Sequence, residues 1–233
     1  LFTVGLGQSF VFVLVPPLAR DLGLSEIQTS SIFAISAFAW AMTSAFWGRT
    51  SDKYGRRNIA VLGLVGYSIS LIALITPLFL VERNILDLAY LFPALVLGRL
   101  LNGLVGSASR PASFAYIADT SSKEKRTVKF ARLEASFLVG TVVGPLIGGF
   151  LFLITNETPF YVFSFLALIA AFGIYKEVNN TSIKKDDVKN KIKIKWYSKT
   201  ILPFLAYAAV LSLCQASLIQ SIGFYITDLF REF

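Results

Sequence analysis

Long apolar runs separated by short polar segments dominate the pattern of this chain. A membrane-spanning α-helix needs about 20 residues, because it rises about 1.5 Å per residue across about 30 Å of hydrocarbon. Runs of this length predict seven spans, at residues 1–19, 27–47, 59–81, 88–118, 131–154, 160–175 and 201–226. The predicted fold class is therefore an all-α membrane protein built as a helical bundle.

Composition supports this fold class and narrows the chemistry. Apolar residues make up 55% of the chain and the mean hydropathy is +0.65, both high for a soluble domain. Cys214 is the single cysteine and His is absent, so an intrachain disulfide is excluded and the commonest metal ligand and general base are missing. We expect no enzymatic activity, no metal and no cofactor.

The basic residues predict the orientation of the spans. Segments 48–58, 123–132 and 176–199 hold four, five and eight Lys or Arg, so 17 of the 22 basic residues lie on one side of the predicted membrane. Lys and Arg are retained on the cytoplasmic side. We therefore predict a multi-pass protein of the cell (inner) membrane with a cytoplasmic N-terminus, and we attribute the net charge of +8 to topology rather than to nucleic-acid binding.

The loop at 48–58 carries more order than an orientation signal needs. It reads "GRTSDKYGRRN" and places glycines, an acid and bases at fixed positions: Gly48, Asp52, Lys53, Gly55, Arg56 and Arg57. This order resembles the signature between spans two and three of the major facilitator superfamily of secondary transporters. We expect Gly48 to let two helices approach closely, Gly55 to permit a tight reversal and Asp52 to face a helix N-terminus or a neighbouring Arg. A generic basic loop is the alternative.

Two further stretches resemble motifs of the same superfamily. The fourth span reads "LVLGRLLNGLVGSASRPASFAYIAD", with Arg99 followed by Gly103, Asn102 where Gln is more usual, and Asp119 at its end. The fifth span contains "GTVVGPLIGG", whose motif residues are Gly140, Gly144, Pro145, Gly148 and Gly149. In the superfamily this second motif is associated with exporters that exchange a substrate for protons. The same spacing is also common in ordinary helix packing.

The resemblance implies a division of the chain. Such transporters have two six-span halves related by an axis along the membrane normal. At an offset of 207 residues Gln8 aligns with Gln215, a faint echo of this repeat. We predict an N-terminal six-helix half at 1–175, a cytoplasmic linker at 176–199, and the first helix of a truncated second half at 200–233. The chain would thus hold about seven of twelve spans, and its partner would be the missing C-terminal half of the same transporter.

The charged residues inside the spans are the candidate site. Arg99 and Arg110 are 11 residues apart, about three helical turns, and so lie near one face of the fourth span. An arginine near the bilayer centre costs about 2.5–3.5 kcal/mol on insertion scales, so it should face the protein interior or water. Arg110 alternatively reaches the cytoplasmic surface. Gln8, Asn102 and Gln215 are further candidate polar contacts for a substrate.

Proton coupling needs a group that exchanges a proton, which an arginine does not. Glu134 is the one acid clearly within a predicted span. It faces either Arg110, as a coupling group, or Arg132, as an interfacial pair. If Glu134 does not couple protons, the acid that does lies in the second half.

Three functions fit these observations. The first is a proton-coupled exporter of small, drug-like molecules that works by alternating access, with a charge cluster of Asp52, Arg56 and Asp119 locking one state. The second is an importer of a metabolite or organic anion, which would suit Arg99 and Arg110. The third is a truncated remnant that does not transport. The expected partners of the first are a small-molecule substrate, protons and the lipid bilayer.

Overall fold

The computed structural model describes residues 1–181 and positions 202, 203, 206, 207, 210, 211 and 214. Gln215, most of the predicted span 201–226 and most of the predicted linker lie outside the described residues. Residues 1–181 contain no strand, which confirms the all-α fold class. Their α-helices are α1 (Phe2–Asp21), α2 (Glu26–Tyr54), α3 (Arg56–Glu82), α4 (Leu91–Leu104), α5 (Ser109–Thr120), α6 (Lys123–Phe152) and α7 (Thr158–Glu177).

Six helical segments in this part of the chain are long and apolar enough to cross a membrane. Five are the single helices α1, α2, α3, α6 and α7. The other is Leu88–Thr120, which combines a 3-10 turn at Leu88–Tyr90, α4, a second 3-10 turn at Gly106–Ala108, and α5. These segments confirm the first six predicted spans, and the chain is a multi-pass membrane protein.

The fourth span is not the continuous helix that its apolar run predicts. The α-helical hydrogen-bond pattern gives way to a 3-10 turn at Gly106–Ala108, between α4 and α5. Pro111 follows, and proline has no N–H for the carbonyl of Ser107 while its ring crowds that carbonyl. A tighter turn relieves this conflict, so the interruption has a local cause in the sequence.

The charged segments between spans are mostly helical rather than loops. α2 continues to Tyr54 and α6 begins at Lys123, whereas the apolar runs alone end at 47 and begin at 131. The reversal between α2 and α3 is confined to Gly55, whose φ is +96°. A hydropathy window finds only the part of a helix that lies in hydrocarbon, and the helix itself continues into the polar layer.

The core lies around α3, the most buried of the spans. In the centre, the ring of Phe10 on α1 makes edge-to-face contacts with Phe160 and Phe163 of α7, at centroid distances of 5.3 and 5.5 Å. The hydroxyls of Ser68 and Ser164 are 2.6 Å apart and join α3 to α7. α6 is the least buried span and packs mainly against α1.

Candidate functional site

A cavity of about 370 Å³ lies between α1, α2, α4, α5 and α6. Its volume is in the range of small-molecule sites. Much of the wall is aromatic, and the polar side chains that line it come from α1, α2, α4 and α5. The aromatic residues are Phe12, Phe33, Trp40 and Phe137, and the polar ones are Gln8, Ser36, Arg99, Asn102, Ser109 and Arg110.

Arg99 is buried at the cavity, with 3% of its surface exposed. Its guanidinium carbon lies 5.6 and 5.2 Å from the ring centroids of Phe12 and Phe33, in cation–π contact. Its Nε has no hydrogen-bond partner among the described residues. The hydroxyl of Ser36 donates to the Arg99 carbonyl at 2.7 Å, which fixes α4 against α2 at this point.

Arg110 forms an ion pair with Glu134 across α5 and α6. Its Nη2 donates to both carboxylate oxygens, at 2.5 and 2.7 Å. Arg110 is also 4.8 Å from the ring of Phe137, so its side chain is held between the carboxylate and an aromatic wall. Of the two partners left open for Glu134, the structure places Arg110 in contact, and Arg132 is exposed on the same helix.

Two neutral candidates also border the cavity. Asn102 is buried one turn beyond Arg99, and its Oδ1 has no hydrogen-bond partner in the described part of the chain. Gly106 makes room for this amide, since a Cβ there would lie 2.5 Å from Oδ1. Gln8 lines the cavity from α1. These positions leave hydrogen-bonding capacity at the cavity beside the two arginines.

A second polar cluster lies at the α2–α3 turn and centres on buried Arg56. Its Nε donates to Asp119 Oδ2 at 2.9 Å, and its Nη2 forms an ion pair with Asp52. Its Nη1 donates to the Ser51 hydroxyl at 2.6 Å and to the Gly48 carbonyl at 3.2 Å. The structure therefore brings together Asp52, Arg56 and Asp119 and joins the ends of α2, α3 and α5.

The other residues of the signature have different surroundings. The expectation that Gly48 permits a close helix approach is wrong, because no atom lies within 4 Å of where its Cβ would be. Its contribution is the carbonyl that accepts from Arg56. Gly55 makes the tight reversal as expected. Lys53 is exposed and its ammonium lies 5.0 Å from the Tyr54 ring, apart from the charge cluster.

The α2–α3 turn also contacts the end of α7 and the segment that follows it. Sequence reasoning did not predict this contact. The backbone N–H of Arg56 donates to the Thr181 carbonyl at 2.8 Å. Arg57 donates to the Tyr175 carbonyl at 3.3 Å and its guanidinium lies 4.7 Å from the Tyr175 ring. The signature is thus connected to the start of the predicted linker. The only signal of this contact in the sequence is the pair Arg56 and Arg57 next to Gly55.

Three glycines of the α6 motif face α1. A Cβ at Gly140 would lie 3.0 Å from the Leu6 nitrogen, and one at Gly144 would lie 2.5 Å from Ser9 Oγ. At Gly148 the ring of Phe10 fills the space. Gly149 faces away, with no atom within 4 Å of where its Cβ would be, and Pro145, which follows Gly144, stays within the helix. The motif therefore makes a close helix contact through three of its glycines, but not through Gly149.

Comparison with known proteins identifies the family. The family model of the Major Facilitator Superfamily matches residues 1–232. The chain belongs to this superfamily. Its members are transporters rather than enzymes.

Curated relatives of this superfamily member resemble it at low identity. The class B tetracycline resistance protein of Escherichia coli is 28% identical over 202 residues, which cover 84% of this chain and 46% of that protein. The quinolone resistance protein NorA of Staphylococcus aureus (strain MSSA476) is 26% identical over 234 residues, covering 98% of this chain and 57% of NorA. The chain thus spans about half the length of the curated relatives it matches.

Sequence reasoning also missed the hydrogen bonds between α2 and the fourth span. The hydroxyl of Thr43 donates to the Gly103 carbonyl at 2.9 Å and lies 2.9 Å from the Ser107 hydroxyl. The indole of Trp47 donates to the Leu104 carbonyl at 2.6 Å. Together with Ser36, these bonds support the interrupted helix of this superfamily member. The sequence signal for these bonds was the presence of isolated hydroxyl side chains within an apolar run.

Proposed function

We propose that residues 1–175 form the N-terminal half of a secondary transporter that exports small, drug-like molecules by proton-coupled alternating access. The observation that carries this proposal is the aromatic cavity of about 370 Å³ with a buried arginine, which is lined by four of the six membrane-spanning segments. Membership of the Major Facilitator Superfamily supports the transport class. The names of the curated relatives, which refer to tetracycline and quinolone resistance, support export.

In this proposal the cavity is one wall of a central site, and the second half of the transporter supplies the other wall. The two halves rock about the bound substrate. The cluster of Arg56, Asp52 and Asp119 holds the ends of α2, α3 and α5 together within the N-terminal half. In its role as a gate, this cluster rearranges when the helix ends of this half move, so that charged contacts made in one state are lost in the other.

Proton coupling is assigned to Glu134. The Glu134 carboxylate contacts Arg110, and its protonation would remove one partner of this ion pair. The freed Arg110 side chain borders the cavity, so the proton changes the charge that a substrate meets. The exchange of a proton at Glu134 would thus be linked to binding and release.

The proposed orientation places the N-terminus in the cytoplasm and the protein in the cell membrane. The ion pair between Arg56 and Asp119 brings the α2–α3 turn to the same end of the bundle as the α5–α6 turn. The helix ends beside both turns are rich in Lys and Arg, at residues 49–57 and 123–132. Retention of basic residues in the cytoplasm then supports a cytoplasmic position for this end.

A second candidate function is uptake of an organic anion through the same cavity. It is favoured by Arg99, whose guanidinium has no carboxylate partner among the described residues. An anionic solute entering the cell would find this charge in its path.

Transport assays on the complete protein test the proposal. Everted membrane vesicles with an acidic lumen are placed in a medium that contains the test compound, either a tetracycline or a fluoroquinolone. We expect accumulation in the vesicles that stops when a protonophore dissipates the gradient. Accumulation only in intact cells would instead support uptake. Absence of transport in both systems, with the protein inserted at normal abundance, would support a remnant that does not transport.

A further inference from the structure

The guanidinium of Arg99 is a buried charge without a counter-charge in the described part of the chain. It contacts the faces of Phe12 and Phe33, and its Nε forms no hydrogen bond there. An unpaired arginine within a membrane span is unfavourable unless it faces an anion or water. Arg99 borders the cavity, so an anionic group in the cavity would supply that counter-charge.

The other charged residues near the cavity do not neutralise Arg99. Arg110 also lines the cavity, but Glu134 already neutralises it by contacts of 2.5 and 2.7 Å. The carboxylates of Asp52 and Asp119 contact Arg56 at the α2–α3 turn. Among the described residues, Arg99 is therefore the cationic group that gives the cavity its uncompensated charge.

The remainder of the cavity wall favours a flat apolar body. Phe12, Phe33, Trp40 and Phe137 present aromatic surface to the space beside Arg99. Aromatic rings bind planar ring systems by offset stacking or edge contacts. The buried Oδ1 of Asn102, one turn beyond Arg99, also lacks a partner and would accept a hydrogen bond from a ligand O–H or N–H.

We propose that Arg99 binds the carboxylate of the transported substrate and that the substrate class is planar aromatic carboxylic acids in their anionic form. This inference rests on the proposed transport function and names the substrate class of the same cavity. A guanidinium suits this role because it presents several donors in a planar fork that matches a carboxylate. The aromatic walls hold the ring system, and Asn102 accepts from a donor placed near the carboxylate.

A carboxylate could also reach Arg99 from a part of the transporter outside the described residues. The two sources have opposite consequences for ligand binding. If the substrate supplies the anion, an anionic ligand binds better than its neutral or cationic analogues. If the protein supplies it, the site is already neutral, an anionic ligand has no advantage, and removal of Arg99 leaves a buried acid unpaired.

The test uses the complete purified protein in lipid nanodiscs and three ligands with the same ring system. These are naphthalene-2-carboxylate, its methyl ester, and 2-(aminomethyl)naphthalene as the cation. Binding is measured by isothermal titration calorimetry for wild type, Arg99→Gln, Arg99→Lys and the matched control Arg83→Gln, an exposed arginine at the far end of α3. Thermal melting of each variant shows whether it is folded.

We expect wild type and Arg83→Gln to bind the carboxylate at least about tenfold more tightly than the ester or the amine, as for a charge-assisted pair. Arg99→Gln should remove this preference while the ester binds as before, and Arg99→Lys should restore part of it. Equal binding of acid and ester by wild type would overturn the inference, and this comparison needs no variant. An unchanged preference in folded Arg99→Gln, or tighter binding of the amine by wild type, would overturn it too.

Measuring both binding and transport distinguishes the role of Arg99 from the proposed export function. A carboxylate preference that depends on Arg99, without any export in everted vesicles, would contradict the proposed export and leave the binding site in place. Proton-driven export of neutral compounds, at the same rate in wild type and Arg99→Gln and without a carboxylate preference, would support export and overturn the role of Arg99.

Discussion

At the α2–α3 turn, one buried guanidinium holds carboxylates from two other helices. Arg56 contacts Asp52 at the end of α2 and Asp119 at the end of α5. The sequence motif predicts that these three residues cluster, because it places opposite charges at the same end of neighbouring spans. It does not predict the additional bonds to Ser51 and to the Gly48 carbonyl, which depend on how far α2 continues as a helix.

Neutralising Asp52 should impair transport without impairing insertion. Asp52→Asn keeps the size of the side chain but removes one of the two charges that hold Arg56, so we expect transport to fall by about tenfold or more, the effect of losing one charge-assisted contact. Transport by the complete protein is normalised to folded protein in the membrane. Asp87→Asn is the control, because an amide there can still cap the 3-10 turn that begins at Leu88. Wild-type transport by Asp52→Asn would remove the gate role.

Glu134→Gln should uncouple transport from protons. The amide cannot exchange a proton, so the rate should lose its response to an imposed pH gradient while Arg110 remains beside the cavity. Counterflow without a gradient, which needs only substrate exchange, should persist. Arg132→Gln, an exposed position on the same helix, should retain the wild-type response. A gradient response that survives in Glu134→Gln would assign coupling to another acid.

At the scale of helices, α1 and α6 approach closely because glycines remove side chains from their contact. A Cβ added at Gly140 would lie 3.2 Å from the Cα of Gly5 on α1. The spacing of the motif predicts a packing face, but it does not distinguish which glycines occupy it. Gly148 belongs to the face and Gly149, its neighbour, does not, because successive residues of a helix point about 100° apart.

The pair Gly144→Ala and Gly149→Ala tests this face. An added methyl at Gly144 would lie 2.5 Å from Ser9 Oγ and 2.9 Å from the Leu6 carbonyl carbon, so we expect destabilisation of about 1–3 kcal/mol from overpacking. Gly149→Ala meets no atom within 4 Å and should melt at or slightly above the wild-type temperature. Thermal melting of the complete protein in one detergent compares the two. Equal melting temperatures would show that α1 and α6 do not pack through Gly144.

Helix bounds show where hydropathy stops being informative. The runs of apolar residues locate six spans, yet α2 and α6 both extend into charged sequence. Charged residues end the hydrocarbon segment of a helix, whereas a helix ends only where its backbone changes direction, here at Gly55. The break near Gly106 had a signal in Pro111, but other prolines, such as Pro77 and Pro145, remain inside helices. Tertiary packing decides between these outcomes.

For the whole molecule, the orientation in the membrane gives a direct prediction. Ile85→Cys lies at the end of the bundle opposite the α2–α3 turn, and Lys125→Cys lies in the first turn of α6. In a background in which Cys214 and any other cysteine of the complete protein are replaced by Ser, a membrane-impermeant maleimide added to intact cells should label Ile85→Cys and not Lys125→Cys. Everted vesicles should give the reverse pattern. Labelling of Lys125→Cys from outside the cell would place the N-terminus outside as well.

The first six spans and the family follow from the apolar runs and the motif order, whereas the orientation in the membrane and the gate at the α2–α3 turn stay predictions. The cavity does not, because Gln8, Arg99, Arg110 and Phe137 come from three separate spans, and only packing sets their distances. The pairing of Arg110 with Glu134 was one of two sequence hypotheses, and the positions of α5 and α6 decide it.

The accessibility of the cavity from the two sides of the membrane tests alternating access most directly. Ala37 lines the cavity from α2, so Ala37→Cys provides a reporter there in a background without Cys214 or any other cysteine of the complete protein. The complete protein is labelled with an impermeant maleimide in intact cells and in everted vesicles, with and without a proton gradient. Alternating access predicts labelling from both sides and a gradient-dependent shift of the labelling rates in opposite directions. Labelling from one side alone under every condition would contradict it.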